Sequence, residues 1–188
     1  IRKNVKDILI PSEEMKIQVY PMDYEEFCLA TNNNYELLRQ IAMSGKSIGE
    51  STNRKLMRDL RIYMAVGGMP QAVCEYLETN NLMDVDRVKR GIIQLYEDDF
   101  YRIDQSGRIS MLFDAIPAQL SSNASRFQVA SALGDNVDSE KTLQLISELR
   151  ESKTINMTYH ANDPAVGMPL SIDLKKYKMF VADTGLFI

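Results

Sequence analysis

The chain has 188 residues, 45% hydrophobic and 26% charged, with a net charge of −4 and a pI near 5.1. That length can bury one substantial core or two small ones, and the acidic balance supplies no global basic field of the kind a dedicated nucleic-acid binder carries. No apolar run nears the roughly eighteen residues of a membrane span, and the opening residues, with Arg2, Lys3, Lys6 and Asp7, make no secretory signal, so a cytoplasmic setting is the default. Cys28 and Cys74 fit no metal or redox spacing and read as buried free thiols. The 11 methionines read as core filler.

Met15-Lys-Ile-Gln-Val-Tyr20 alternates polar and apolar positions, which predicts a short strand with Ile17 and Val19 on one face, closed by Pro21. Asp23 stands three residues before Glu26, the pattern of a capped helix start. The alternative is a metal site at Asp23, Glu25 and Glu26, but carboxylates crowd ordinary helix starts. Tyr35 to Met43 reads as a helix. The Gly45-Lys46-Ser47 that follows mimics the tail of a phosphate loop, yet Gln40 stands where that motif needs its first glycine and a helix precedes it where a strand should, so it reads as a plain loop.

Leu56, Leu60, Tyr63 and Met64 recur at helical spacing up to Gly67, and Val73, Tyr76 and Leu77 do so after Pro70. Gly67 and Gly68 permit positive φ, and Pro70 suits the first position of a helix, where its missing N–H is no loss. Taken alone, the stretch is a tight helix-turn-helix joint. Asn80-Asn81 ends the second helix. A longer helix then carries Val85, Val88, Ile92, Leu95, Tyr96 and Ile103 along one stripe, with Asp84, Asp86, Arg87, Lys89 and Arg90 on the wetter side. Glu97, Asp98 and Asp99 near its end read as a solvated or ion-paired face rather than as paired catalytic carboxylates, because no histidine or third ligand lies near in sequence.

After Gly107, Met111, Leu112, Ala115 and Ile116 predict a helix that Pro117 bends or restarts. Ser125 to Leu133 predicts a second helix stopped by Gly134, Asp135 to Ser139 a polar turn, and Thr142 to Arg150 a third helix with Leu143, Ile146 and Leu149 on one face. Thr154 to His160 alternates as a strand, Ala161 to Pro169 is a turn-rich tip, and Tyr177 to Ala182 is a returning strand. Three helices and a ribbon is the winged-helix order. The third helix carries Asp138, Glu140, Glu148 and Glu151 against Lys141 and Arg150, the wrong sign for holding phosphates. Lys175, Lys176 and Lys178 beside the returning strand are the residues for any weak DNA contact, against the reading of a solvated edge. His160, the one histidine, reads as a surface residue, without the partners a shuttle or ligand needs.

Five blocks occur in one order: Tyr20-Pro-Met-Asp-Tyr-Glu-Glu-Phe27, Tyr63-Met-Ala-Val-Gly-Gly-Met-Pro-Gln-Ala-Val73, Leu95-Tyr-Glu-Asp-Asp-Phe-Tyr-Arg-Ile103, Ile116-Pro-Ala-Gln-Leu120 and Lys178-Met-Phe-Val-Ala-Asp-Thr-Gly-Leu186. That order resembles a bacterial and archaeal family of AAA-type ATPases that end in a restriction-endonuclease-like domain. The resemblance implies a mostly α (α+β) fold. Residues 1–22 would be an edge strand and linker from an ATPase core, 23–106 a helical lid bundle, 107–183 a winged-helix domain and 184–188 the start of the C-terminal domain. It further implies that Gly67, Gly68 and Pro70 form the turn by which such lids touch the adenine of bound ATP or ADP, with magnesium, in the longer protein. A structural hinge is the competing reading.

No G-x-x-x-x-G-K-[ST] stands in the chain, and the later acidic and lysine residues that such nucleases need are absent from it. The start at Ile1 and the stop just after Asp183-Thr-Gly-Leu-Phe187 fit a piece of a longer protein, itself non-catalytic and without a bound cofactor. Its partners would be the ATPase core and the effector domain of the same polypeptide. Two rivals stand beside this reading: a freestanding winged-helix DNA-binding regulator, and a protein-interaction module.

Overall fold

Asp23 opens the first helix as its sequence predicts. Its carboxylate accepts the Glu26 N–H and the Glu26 side chain accepts the Asp23 N–H, both at 2.9 Å, closing a capping box. In this computed structural model, which describes residues 17–33, 35–134, 138–162 and 172–187, eight helices and one two-stranded ribbon follow in chain order. They are α1 (Tyr24–Ala30), α2 (Tyr35–Ser44), α3 (Glu50–Val66), α4 (Pro70–Thr79), α5 (Leu82–Ile103), α6 (Arg108–Ser121), α7 (Val129–Leu133) and α8 (Ser139–Glu151). The strands β1 (Ile155–Ala161) and β2 (Ile172–Val181) are antiparallel, and a 3₁₀ turn, Thr184–Leu186, closes the described chain. The fold is mostly helical with a small antiparallel sheet.

Two apolar cores organise these elements. Phe27, Val66, Ala72, Val73 and Val85 make the first, between α1, α3, α4 and the start of α5. Ile92, Phe100, Leu112, Ile116, Leu149 and Met179 belong to the larger second one, which the rest of α5 shares with α6, α8 and the ribbon. The packing boundary therefore falls inside α5, upstream of the 106/107 boundary drawn from the sequence. At about 1.5 Å per residue, this 22-residue helix is long enough to serve both cores. Met69 packs against both.

Several expectations change on contact with the fold. Residues 17–20 form no strand, and Ile17 and Val19 stand 79% and 88% exposed, since no neighbouring strand offers them backbone partners. The stripe of α5 runs through Phe100 rather than Leu95 or Ile103, and Lys89, placed on the wet side by its charge, is buried. Helix α7 starts only at Val129. Before it, Phe127 is buried and gives its N–H to the Tyr177 carbonyl of β2 at 2.8 Å, while the Gln119 amide pins both the N–H and the carbonyl of Gln128. Pro117 sits within a continuous α6. On α8 the inward residues are Thr142, Ile146 and Leu149, and Leu143 faces solvent.

Cys28 is buried and Cys74 exposed. The methionines are not chiefly core filler: Met179 is fully buried, but Met43, Met57, Met64, Met83 and Met111 are all exposed. Most of the turn expected at Asp135 to Ser139, and most of the tip at Ala161 to Pro169, lie outside the described residues, as does the chain before Ile17.

Candidate functional site at the diglycine turn

Three separate segments meet where α3 gives way to α4. Helix α3 ends in Gly67, whose φ of 84° lies where only glycine is at ease and whose N–H caps the helix on the Tyr63 carbonyl at 2.7 Å. Met69 is the N-cap of α4 and Pro70 its first residue, the position that tolerates a missing N–H. From the N-terminal side, Met22 gives its N–H to the Gly68 carbonyl at 2.7 Å and takes the Tyr63 hydroxyl on its own carbonyl at 2.9 Å. From the C-terminal side comes Asp183, just after β2. One carboxylate oxygen accepts the Gly68 N–H and the other the Gly185 N–H, each at 2.7 Å.

The glycines are required by close approach. A Cβ on Gly68 would run into the backbone of Met22, and one on Gly67 into the Asp183 carboxylate and, at 2.8 Å, the Gly185 Cα. A Cβ on Gly185 would lie 2.5 Å from both the Gly67 Cα and the Val66 carbonyl oxygen. Three glycines thus let three stretches of backbone stack without side chains between them.

Asp183 is 3% exposed, and its burial pushes the carboxyl pKa above the usual carboxylate range. The Gly185, Gly68 and Met69 N–H groups and the Lys89 ammonium pull the other way. The Lys89 ammonium donates a hydrogen bond to the Ala65 carbonyl near the end of α3 at 3.0 Å and lies 4.0 Å from Asp86, so the last turn of α3 is held by a cation as well as by a glycine. Burial, and after it the Asp183 charge, raises the Tyr63 and Tyr96 phenols. Both oxygens of Asp183 are occupied by backbone donors. The group holds the turn from both sides.

The residues singled out in the sequence fall into separate places. Gly67 and Gly68 are buried under Asp183 and Met22 while Pro70 is exposed, so the accessible turn is accessible at its proline only. Lys46 sits in the exposed loop after α2, remote in kind from a strand-to-helix phosphate loop. Asp99 pairs with Arg102 at 2.8 Å on the surface of α5. His160 is exposed on β1.

The ribbon pairing steps from Tyr159 with Tyr177 to His160 with Asp173, so Leu174, Lys175 and Lys176 bulge out of β2. Lys176 lies 3.5 Å from Asp173, Lys175 donates its N–H to the same carboxylate at 2.9 Å, and Lys178 pairs across the ribbon with Thr158. Lys175 and Lys176 therefore share their neighbourhood with an acid.

Sequence reasoning missed Asp183 as a tie and Lys89 as a buried cation. Asp-x-Gly is a local turn signal, and the Gly185 bond follows it, but the Gly68 bond joins positions 115 residues apart and leaves no local trace.

Residues 57–188 match the family described as a domain of unknown function (DUF8612), and the chain belongs to that family. The matched span holds both sides of the Asp183 tie and leaves out α1 and α2. No curated protein and no solved structure matches the chain.

Proposed function

We propose that this DUF8612 chain is the helical lid and winged-helix region of an AAA-type ATPase, coupling ATP binding and hydrolysis in an ATPase core to the position of a C-terminal effector domain. The chain contributes no catalytic residue in this reading. Pro70, exposed at the start of α4, is the contact for the adenine ring of ATP or ADP, and Gly67 and Gly68 serve as the close-packed hinge behind it. Magnesium and the phosphates belong to the core. No helix among the described residues is long and apolar enough to cross a membrane, and the cytoplasm is the compartment we assign.

The observation that supports this reading most is the hydrogen bond from the Gly68 N–H to Asp183. It fastens the turn that would feel nucleotide to the point where the chain leaves β2, which is where an effector domain would attach. A displacement of Pro70 moves the Gly68 peptide, and the Gly68 peptide carries Asp183 with it. Coupling of this kind needs a physical element that both sites bias, and the three-glycine stack is that element.

The test uses the full-length product of the gene. Pro70→Ala is expected to weaken its adenine-nucleotide affinity severalfold while leaving the fold intact. Asp183→Asn is expected to leave that affinity nearly unchanged while uncoupling nucleotide from any downstream activity. A full-length product that binds no adenine nucleotide refutes the proposal, and nanomolar binding to one DNA sequence over scrambled duplex would favour the freestanding regulator in its place.

A further inference from the structure

A cleft of about 560 Å³ opens on the far side of the first core, between α1, α3 and the end of α4. Asp59 of α3 lines it. This carboxylate is 8% exposed and, among the described residues, accepts no hydrogen bond; its one cationic neighbour is the adjacent Arg58, whose Nε lies 3.5 Å away on a side chain that is 70% exposed. No fully buried side-chain oxygen among the described residues lacks a partner, so the Asp59 oxygens stay in touch with the cleft. A cation entering the cleft would meet a carboxylate that the protein donors around it leave free to accept.

The walls indicate what would fill that space. Tyr76, partly buried and backed by the buried Phe27 ring with centroids 6.4 Å apart, lines it, and Leu77, half-exposed, borders the mouth. Asn33 gives its amide N–H to Thr31 at 3.0 Å, which leaves the amide oxygen as an acceptor. Acceptors and an aromatic face gathered beside a carboxylate favour a ligand rich in N–H donors and positively charged. An anionic ligand would meet Asp59 first and be repelled.

The geometry points to a binding site for a guanidinium or primary ammonium group on a short apolar stem, with Asp59 as its counter-ion, Tyr76 as its aromatic wall, and Arg58 as an internal competitor held at the rim. The site is independent of any nucleotide function at Pro70, which lies at the opposite end of α4 from Tyr76. Such a group reaches a protein either as a small free amine or as an arginine side chain of a peptide segment. The chemistry at Asp59 is the same for both.

The probes are agmatine, N-acetyl-arginine amide within a capped tripeptide, and the same tripeptide carrying uncharged citrulline, each titrated into the intact chain while the Tyr76 and Phe27 ring resonances are followed. Saturable shifts with a cationic probe and none with citrulline are expected. Asp59→Asn should weaken binding about tenfold, the worth of one desolvated charge contact. Arg58→Gln, a change on an exposed side chain that leaves the core alone, should strengthen it by removing the competitor, so the proposal stays testable even if Asp59→Asn fails to fold. Agmatine binding without the peptide identifies a small amine, and the reverse identifies a segment; both uphold the cation site. Absence of saturable shifts with either cation overturns it, as does weaker binding in Arg58→Gln.

Discussion

Asp183 carries more of this structure than its single charge implies, because removing it strands backbone donors as well as a carboxylate. The Gly68 and Gly185 N–H groups both end on it at 2.7 Å in a site that water barely reaches. Its titration has a defined sign. Burial raises the carboxyl pKa, so the ionised form is the less favoured one in the folded chain, and the stability associated with this group is full below the ordinary carboxylate value and declines as pH rises through the folded value. Asn cannot titrate and resembles the protonated acid in shape and in being neutral. The stability advantage of the wild-type chain over Asp183→Asn is therefore expected to shrink as pH rises from about 4 toward neutrality, read as the difference in urea midpoints at each pH. An advantage that grows over that window would show that the backbone donors and Lys89 outweigh burial.

Two glycines of opposite character separate the helices' own requirements from those of the junction. Gly68 has no room for a methyl group, since the obstacle is the Met22 backbone and not a side chain that can swing away; Gly68→Ala is expected to cost about 1–3 kcal/mol or more. Gly91, in the exposed middle of α5, has nothing within 4 Å of its missing Cβ, and Gly91→Ala is expected to stabilise by about 0.5–1 kcal/mol through helix propensity alone. Thermal or denaturant unfolding of the two variants checks both signs at once. The same contrast marks what could be read in advance. Helices, caps and turns are set by neighbours in sequence, so the capping box at Asp23, the break at Gly67 to Pro70 and the paired asparagines after α4 were all legible. The strand expected at 15–20 does not form over residues 17–20, because alternation states which face a strand would bury and not whether a partner exists. Lys89 failed for a related reason: charge predicts water, and only the tertiary position of the Ala65 carbonyl explains an ammonium in the interior. Of the candidate site, the glycines and proline were visible as a turn, while the Met22 and Asp183 segments that close over it were not.

At the scale of the whole molecule, two cores meet along α5, at Met69 and at the segment from Asp183 to Leu186. Helix α5 runs through both, from Val85 in one to Phe100 in the other, but a helix with glycine at its midpoint is a weak transmitter on its own. Met69 touches both cores, and the Asp183 tie fixes the end of the ribbon to the turn between α3 and α4. Contacts across the boundary decide whether two packed units unfold as one. The intact chain is accordingly expected to unfold in a single transition, with amides of α3 and of α8 exchanging at one common free energy. Asp183→Ala removes the acceptor of two buried N–H groups, a loss of about 2–5 kcal/mol, and falls on the connection between the cores rather than inside either. Its expected result is two resolved transitions by calorimetry, with α3 amides exchanging before those of α8, because the first core is the smaller and has the less apolar surface to keep it closed. A single transition merely shifted to lower temperature would mean that α5 and Met69 suffice to hold the cores together, and would deprive the Asp183 tie of any part in passing motion from the turn to the end of the ribbon.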